Sequence, residues 1–237
     1  MKGQPDDWKE IIEKEYTKKS ILDRLHLSIH EISELGIAWV ITSAVILLIR
    51  RDLLNTLISE GKIPTEIFLT LFAYGISFFT HELMHKFTAI KYGAKAYFRI
   101  SQQGLMITLI GIIIGFPIIA IGAVYWWGEA TASQGIRGRV SAAGPISNLI
   151  LVGFFLGVQG LAFFLIEGAI DLAILLFTIG EVGIWINTFL GTFNLLPIGV
   201  LDGAKVLAWN PKIWISLFGS FIVIGLFTGG FFLYFFF

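Results

Sequence analysis

Two histidines four residues apart, His81 and His85, enclose a glutamate in the segment His81-Glu82-Leu83-Met84-His85. On a helix, residues at this spacing lie one turn apart on the same face, so both imidazoles can bind one metal ion. Glu82 lies beside them and can take a proton from a metal-bound water. Two imidazole ligands, a neighbouring carboxylate base and a third ligand from elsewhere form the arrangement found in zinc proteases. The segment therefore predicts a metal site capable of hydrolysis.

The residues before these histidines indicate that the site is embedded in a membrane. Residues 67–80 carry no charged side chain, which is typical of a membrane span. Ionisable groups within a span are costly unless they pair or bind an ion, and two structural histidines alone would leave Glu82 unexplained. His81 lies ten residues before Lys91, which places the metal on the order of 15 Å inside the membrane boundary.

The composition agrees with an integral membrane protein. Of 237 residues, 56% are hydrophobic and 14% are charged, and the formal net charge is zero. The sequence shows no basic patch of the kind that binds nucleic acid. Without cysteine, disulfides and sulfur ligands are excluded, so metal ligands must come from the four histidines and the acidic residues. We expect a polar leader over residues 1–27 and one membrane-embedded domain over residues 28–237.

The apolar segments predict an all-α polytopic membrane protein with about five to six transmembrane helices. The leader has apolar residues at helical spacing, which suits either an amphipathic helix or a solvated tail. Ser28 to Glu31 reads as a capping box that opens the first span. Ser141 is expected to cap a later span with Pro145 in its first turn. The predicted spans cover residues 31–49, 65–90, 141–166, 171–196 and 213–235.

Residues 96–127 favour a re-entrant element with a small β structure. Residues 97–100 predict a strand, and the apolar run at 104–127 is broken by Gly115-Phe116-Pro117. Two half-depth pieces can lie in a membrane only where protein shields them or they line a cavity. If the N-terminus is cytoplasmic and this region is re-entrant, 14 of the 17 Lys and Arg fall in cytoplasmic segments. The active site then lies nearer the cytoplasmic side of the cell membrane.

Several polar residues need an explanation. The amide of Asn148 lies within a predicted span and requires a partner, and Glu181 is the other carboxylate deep in a span. Asn187 and Asn194 are seven residues apart and so share a face of their helix. His26 and His30 repeat the four-residue spacing without a carboxylate in the right order, and we interpret them as interfacial histidines. Asp202-Gly203 suits a turn or a helix N-cap as readily as it suits a ligand.

Taken together, these motifs resemble the site-2 protease family of intramembrane zinc metalloproteases, and most closely its compact prokaryotic members. The resemblance runs from about Ser28 to Pro211. Its motifs are HExxH at 81–85, Gly144-Pro145-Ile146-Ser147-Asn148, and Asn194-Leu195-Leu196-Pro197 leading to Leu201-Asp202-Gly203. Gly199 stands where the family usually has a second proline, while the Asn-to-Asp spacing of eight is unchanged.

The resemblance implies roles for five residues. His81, His85 and Asp202 would bind one zinc ion per chain, and Glu82 would be the general base. Asn194 would stabilise the oxyanion or orient the substrate backbone. The substrate would be a transmembrane protein or peptide in the lipid bilayer. Because a helical substrate must unwind before it is cut, a strand edge in residues 97–103 or 118–126 could receive it by strand addition.

Two other functions remain open at this point. A catalytically inactive relative would use the same fold and ligands to hold membrane helices without cutting them, although an intact Glu82 argues against it. A metal or ion transporter could use His81, Glu82, His85 and Glu181 as a pathway, and broken apolar segments are common in transporters. Two corresponding halves are not visible in the sequence. Glu181 is also the alternative third zinc ligand.

Overall fold

The computed structural model describes residues 25, 27–49, 63–114, 121–129 and 131–228. Over these residues the chain is mostly helical, as predicted, with seven helices and one two-stranded sheet. In chain order the elements are α1 (Ile29–Ile49), α2 (Ile63–Lys91), β1 (Ala96–Ile100), α3 (Gln102–Ile114), β2 (Gly122–Trp126), α4 (Gln134–Leu165), α5 (Ile170–Asn194), α6 (Asp202–Trp209) and α7 (Pro211–Phe227). The predicted leader helix, His26 and the end of the last predicted span lie outside the described residues.

The first helix begins where the sequence predicted. The hydroxyl of Ser28 accepts a hydrogen bond from the N–H of Glu31 at 3.1 Å, which caps one of the free amides of the first turn. The capping box is only half formed, however. The Glu31 side chain turns inward to Lys86 on α2 instead of returning to the Ser28 amide.

The predicted start of the fourth helix was wrong. α4 begins at Gln134, capped by the hydroxyl of Ser133, and Pro145 lies inside the helix instead of in its first turn. The polar segment before Ser141 is helical because it packs on α6. Gly138 meets the ring of Trp209 there, with no room for a Cβ atom.

α4 and α5 pack closely along their length because small residues let the helices approach. Gly183 lies against the Phe155 ring. A Cβ atom at Gly180 would lie 3.0 Å from the backbone of Gln159. By length and composition, these two helices are the ones among the described residues that could cross a membrane, while α3 and α7 are apolar but shorter.

An apolar cluster joins α1, α2, β1 and α5. Its members include Leu35, Tyr74, Phe78, Phe98, Ile186 and Phe189.

The two-stranded sheet joins the chain segments before and after α3. β1 and β2 are antiparallel, with Ile100 paired to Gly122 and Ala96 paired to Trp126. The chain therefore leaves β1, runs through α3 and comes back to the point it left. The predicted strand at 97–100 is confirmed, and the predicted break at Gly115-Phe116-Pro117 lies outside the described residues.

A tight turn carries the chain from α5 into α6. α5 ends at Asn194, and Gly199 in the turn has a φ of +55°. Proline is restricted to φ near −65°, so this turn excludes the proline that the family usually has here. Gly203 lies against the carbonyl of Leu195, and the Trp214 indole N–H donates to the same carbonyl at 2.7 Å. These contacts hold the start of α6 against the end of α5.

Candidate metal centre and active site

Three ligand atoms from two helices converge on one point. His81 and His85 lie one turn apart on α2, and their Nε2 atoms are 3.0 Å apart. The Oδ2 atom of Asp202, in the first turn of α6, lies 3.4 Å from His81 Nε2 and 3.1 Å from His85 Nε2. Among the described residues this is the one group of three or more such side chains close enough to share a metal ion.

The spacing of these atoms fits zinc. Ligand atoms at about 2.0–2.2 Å from a tetrahedral zinc ion are roughly 3.3–3.5 Å apart, close to the 3.0–3.4 Å found here. Gly144 of α4 borders the same space, where a Cβ atom would lie 2.6 Å from His81 Nε2 and closer still to His85 Nε2. Two nitrogens and one carboxylate oxygen leave a fourth position open, which is the pattern of catalytic zinc sites.

Asp202 is held in the form that binds a metal. It does not cap α6, because the N-cap is Leu201 and no side chain bonds to the free amides there. Burial acts to raise the pKa of Asp202, but in the metal-free chain a proton on the imidazoles, first that of His85, outweighs burial and holds this pKa below its usual range. The carboxylate therefore stays ionised beside the histidines.

Hydrogen bonds fix which nitrogen of each imidazole faces the metal position. His81 Nδ1 lies 2.6 Å from the Asn148 side-chain oxygen, and His85 Nδ1 lies 2.7 Å from the Val140 carbonyl oxygen. Since both oxygens accept, both Nδ1 atoms carry the proton. With a metal ion in place of the proton shared with Asp202, both Nε2 atoms would present lone pairs to the metal position, as metal-binding histidines require.

Glu82 and Asn194 line a cavity of about 180 Å³ next to these ligands. Glu82 is buried, and one of its carboxylate oxygens, Oε2, has no hydrogen-bond partner among the described residues. The Asn194 amide donates to the Leu190 carbonyl of its own helix at 2.9 Å. Both side chains thus lie at the site that the sequence predicted. Their roles as base and oxyanion donor stay predictions.

A comparison with known proteins agrees with this geometry. A protein of Methanocaldococcus jannaschii described as a "Putative zinc metalloprotease" is 40% identical over 147 residues, which are 62% of this chain and 72% of that protein. The chain belongs to this zinc metalloprotease family. No family model matches the chain. No solved structure matches it either.

A buried amide network supports His81, the first candidate ligand of the metalloprotease. Asn148 accepts from His81 and donates to Asn187 Oδ1 at 2.9 Å, and Asn187 donates to Ser77 Oγ at 2.8 Å. Asn187 also donates to the Gly183 carbonyl at 2.8 Å. All three side chains are fully buried. The network links α4 and α5 to α2, and it supplies the partner that the Asn148 amide was expected to need.

Two other candidates lie away from the metal centre. Glu181, the alternative third ligand, is exposed on α5 and does not line the cavity. His30 is exposed at the start of α1, where its Nδ1 lies 2.7 Å from Arg99 and 3.1 Å from Glu34. The structure therefore places Asp202 beside His81 and His85, and it places Glu181 and His30 elsewhere.

Proposed function

We propose that the chain is an intramembrane zinc metalloprotease of the site-2 type, which hydrolyses a peptide bond in or near a transmembrane helix of a membrane-protein substrate. The observation that carries the proposal is the buried Glu82 carboxylate, with one oxygen free, beside the His81, His85 and Asp202 group. Family membership supports the zinc-protease chemistry. The apolar run that leads to the site along α2 supports its location within the membrane.

The chemistry assigns a separate task to each residue. A bound zinc ion would lower the pKa of a water towards ~7 and polarise the scissile carbonyl. Glu82 takes the proton of the attacking water and passes it to the leaving amine. Asn194 turns its amide from Leu190 to the developing oxyanion, a contribution on the order of 2.7–4 kcal/mol in comparable sites.

The proposed topology has a cytoplasmic N-terminus and about five to six spans. α1, α2, α4, α5 and α7 would cross the membrane, and α3 with β2 would be the re-entrant element. The pairing of Ile100 with Gly122 supports re-entry, because the chain comes back beside β1 after α3. Lys86 is buried and paired with Glu31, so it is left out of the count of cytoplasmic Lys and Arg. The cytoplasmic excess of Lys and Arg persists without it.

The outer edge of β2 is the proposed receiving edge for substrate. A helical peptide bond is shielded by its own hydrogen bonds, so the substrate must unwind and can then add to a sheet as a strand. β2 lines the cavity that contains Glu82 from Gly122 to Trp126, and the Val124 backbone is within hydrogen-bonding reach of the Glu82 carboxylate. A strand added there would replace the contact between Val124 and Glu82 and would run past the base and the metal ligands.

Glu82→Gln tests the proposal. Glutamine keeps the size and polar tip of glutamate but cannot accept the proton of the water at neutral pH. We expect the variant to fold and to bind zinc, yet to cleave a transmembrane peptide in proteoliposomes at least about 10²–10⁴-fold more slowly than wild type. His81→Ala is the matched control, because it should lose zinc as well as activity.

The rate is expressed per bound zinc, so that loss of metal and loss of the base are separated. A purely structural Glu82 would lower expression or thermal stability and leave the rate per bound zinc nearly unchanged. A Glu82→Gln protein that cleaves at close to the wild-type rate would end the protease proposal. The transporter alternative has no support from the site, since Glu181 lies outside the cavity.

A further inference from the structure

The two strands expose different edges. Ser101 N–H donates to Ile121 O and Trp127 N–H donates to Lys95 O, both at 2.8 Å. Because backbone groups alternate along an antiparallel pair, the odd-numbered residues of β1 direct theirs to β2, and Phe98 and Ile100 direct theirs away from it. On β2 the outward groups belong to even-numbered residues such as Val124, on the side that lines the Glu82 cavity.

Carboxylates of α1 occupy the outer edge of β1. The N–H of Phe98 donates to Glu31 Oε1 at 3.0 Å, and the N–H of Ile100 donates to Glu34 Oε2 at 3.0 Å. These are two successive outward amides of the strand. A substrate strand would need the same two donors to pair with β1, so this edge is already closed.

The first of these carboxylates is also tied to the metal-binding helix. Both oxygens of Glu31 lie 2.8 Å from Nζ of Lys86, the residue that follows His85. The two side chains are almost completely buried, with 3% and 2% exposure. A buried, bidentate pair of this kind fixes a geometry because either charge alone would be costly there. Glu31 therefore joins α1, β1 and α2 at the level of the zinc ligands.

We propose that Glu31 and Glu34 are positioning residues that cap the outer edge of β1, so that a substrate strand adds only at β2, beside Glu82. The Glu31–Lys86 pair holds the sheet at one height on α2 and thereby sets which peptide bond meets the base. This inference rests on the proposed function and names the element that directs its substrate.

A pair of double variants isolates the cap from the ion pair. Glu31→Gln/Lys86→Met removes both charges and keeps an oxygen that can accept from the Phe98 amide. Glu31→Met/Lys86→Met is its matched partner, equal in charge and side-chain length but without that acceptor. Neither variant leaves a buried charge unpaired, so both are expected to fold and to bind zinc as the wild type does.

The first measurement is amide hydrogen exchange over residues 96–100 of the zinc-loaded chains. The methionine variant should exchange about 5- to 100-fold faster than the glutamine variant at the Phe98 amide, because one buried hydrogen bond is lost. Equal exchange in the two variants would overturn the cap. This readout needs no substrate, so it stands apart from any failure of the protease proposal.

The second measurement locates the substrate strand. In a Glu82→Gln background, a transmembrane peptide with one cysteine is cross-linked to a cysteine placed at Ala123 on β2 or at Tyr97 on β1; the chain has no cysteine of its own. We expect cross-linking at Ala123→Cys alone with the glutamine variant. We expect cross-linking at both positions when Glu34→Met is added to the methionine variant, because the Ile100 amide then loses its acceptor as well. Cross-linking at Tyr97→Cys with an intact cap would overturn the proposal, and so would no cross-linking at either position.

Discussion

Asn148 gives a prediction whose size can be worked out from the structure. Asn148→Leu keeps a similar volume but removes the oxygen that lies 2.6 Å from His81 Nδ1. His81 is only 4% exposed, so water cannot replace that oxygen. An unsatisfied buried donor costs about 1–3 kcal/mol, and loss of such a supporting group typically weakens metal binding about 10- to 100-fold. We expect zinc affinity to fall by that factor, or about 1.4–2.7 kcal/mol.

The assay is a zinc titration in competition with a chelator of known affinity. Thermal unfolding with and without zinc gives an independent value, because the stabilisation by zinc should decrease by the same free energy. Asn187→Leu is the control, since it disturbs the same network one step away and leaves the His81–Asn148 contact in place. A folded Asn148→Leu protein that binds zinc as tightly as wild type would refute the reasoning. Equal losses in the two variants would refute it too.

Three further outcomes are expected. Gly144→Ala should fold but lose zinc, because its Cβ would lie 2.6 Å from His81 Nε2; full occupancy in metal analysis would contradict this. Asp202→Ala should lose most of its zinc and Glu181→Ala should keep it, whereas the reverse pattern would make Glu181 the ligand. A cysteine introduced at Ser59 should react with an impermeant reagent only from outside the cell, and labelling only from the cytoplasm would overturn the proposed topology.

The parts of the fold that could be predicted are those with local signals. The apolar run before His81 predicted α2, the β-prone segment at 97–100 predicted β1, and Pro197 marked the end of α5. The spacing of His81 and His85 likewise predicted two ligands without any knowledge of the fold, and both lie in the group that could hold a metal ion. Asp202 came only from the resemblance, because an Asp-Gly pair is as typical of a turn as of a metal site.

The features that were missed depend on residues far apart in the chain. α4 begins earlier than expected because its first turns pack on Trp209 of α6, a contact that the local sequence does not reveal. Glu31 was assigned to a capping box, which is a local pattern, but its partner Lys86 is 55 residues away. Asn148 was expected to need a partner within the apolar helices, yet only the packing of α4 on α5 shows that this partner is Asn187.

The charges of the site explain why its supporting groups are neutral. With zinc bound and Glu82 ionised, two positive charges meet one negative charge on Asp202 and one on Glu82, while both imidazoles are neutral. Metal-binding histidines are often supported by a carboxylate, which here would leave a buried site with a net negative charge, at a considerable cost in free energy. The oxygens of Asn148 and Val140 accept from the two imidazoles without adding charge. Next to the site, Lys86 and Glu31 cancel one another. Such a cluster is neutral as a whole, and among its described side chains the Glu82 Oε2 atom is the one buried oxygen without a hydrogen-bond partner. This balance of charge suits the proposed chemistry among apolar helices.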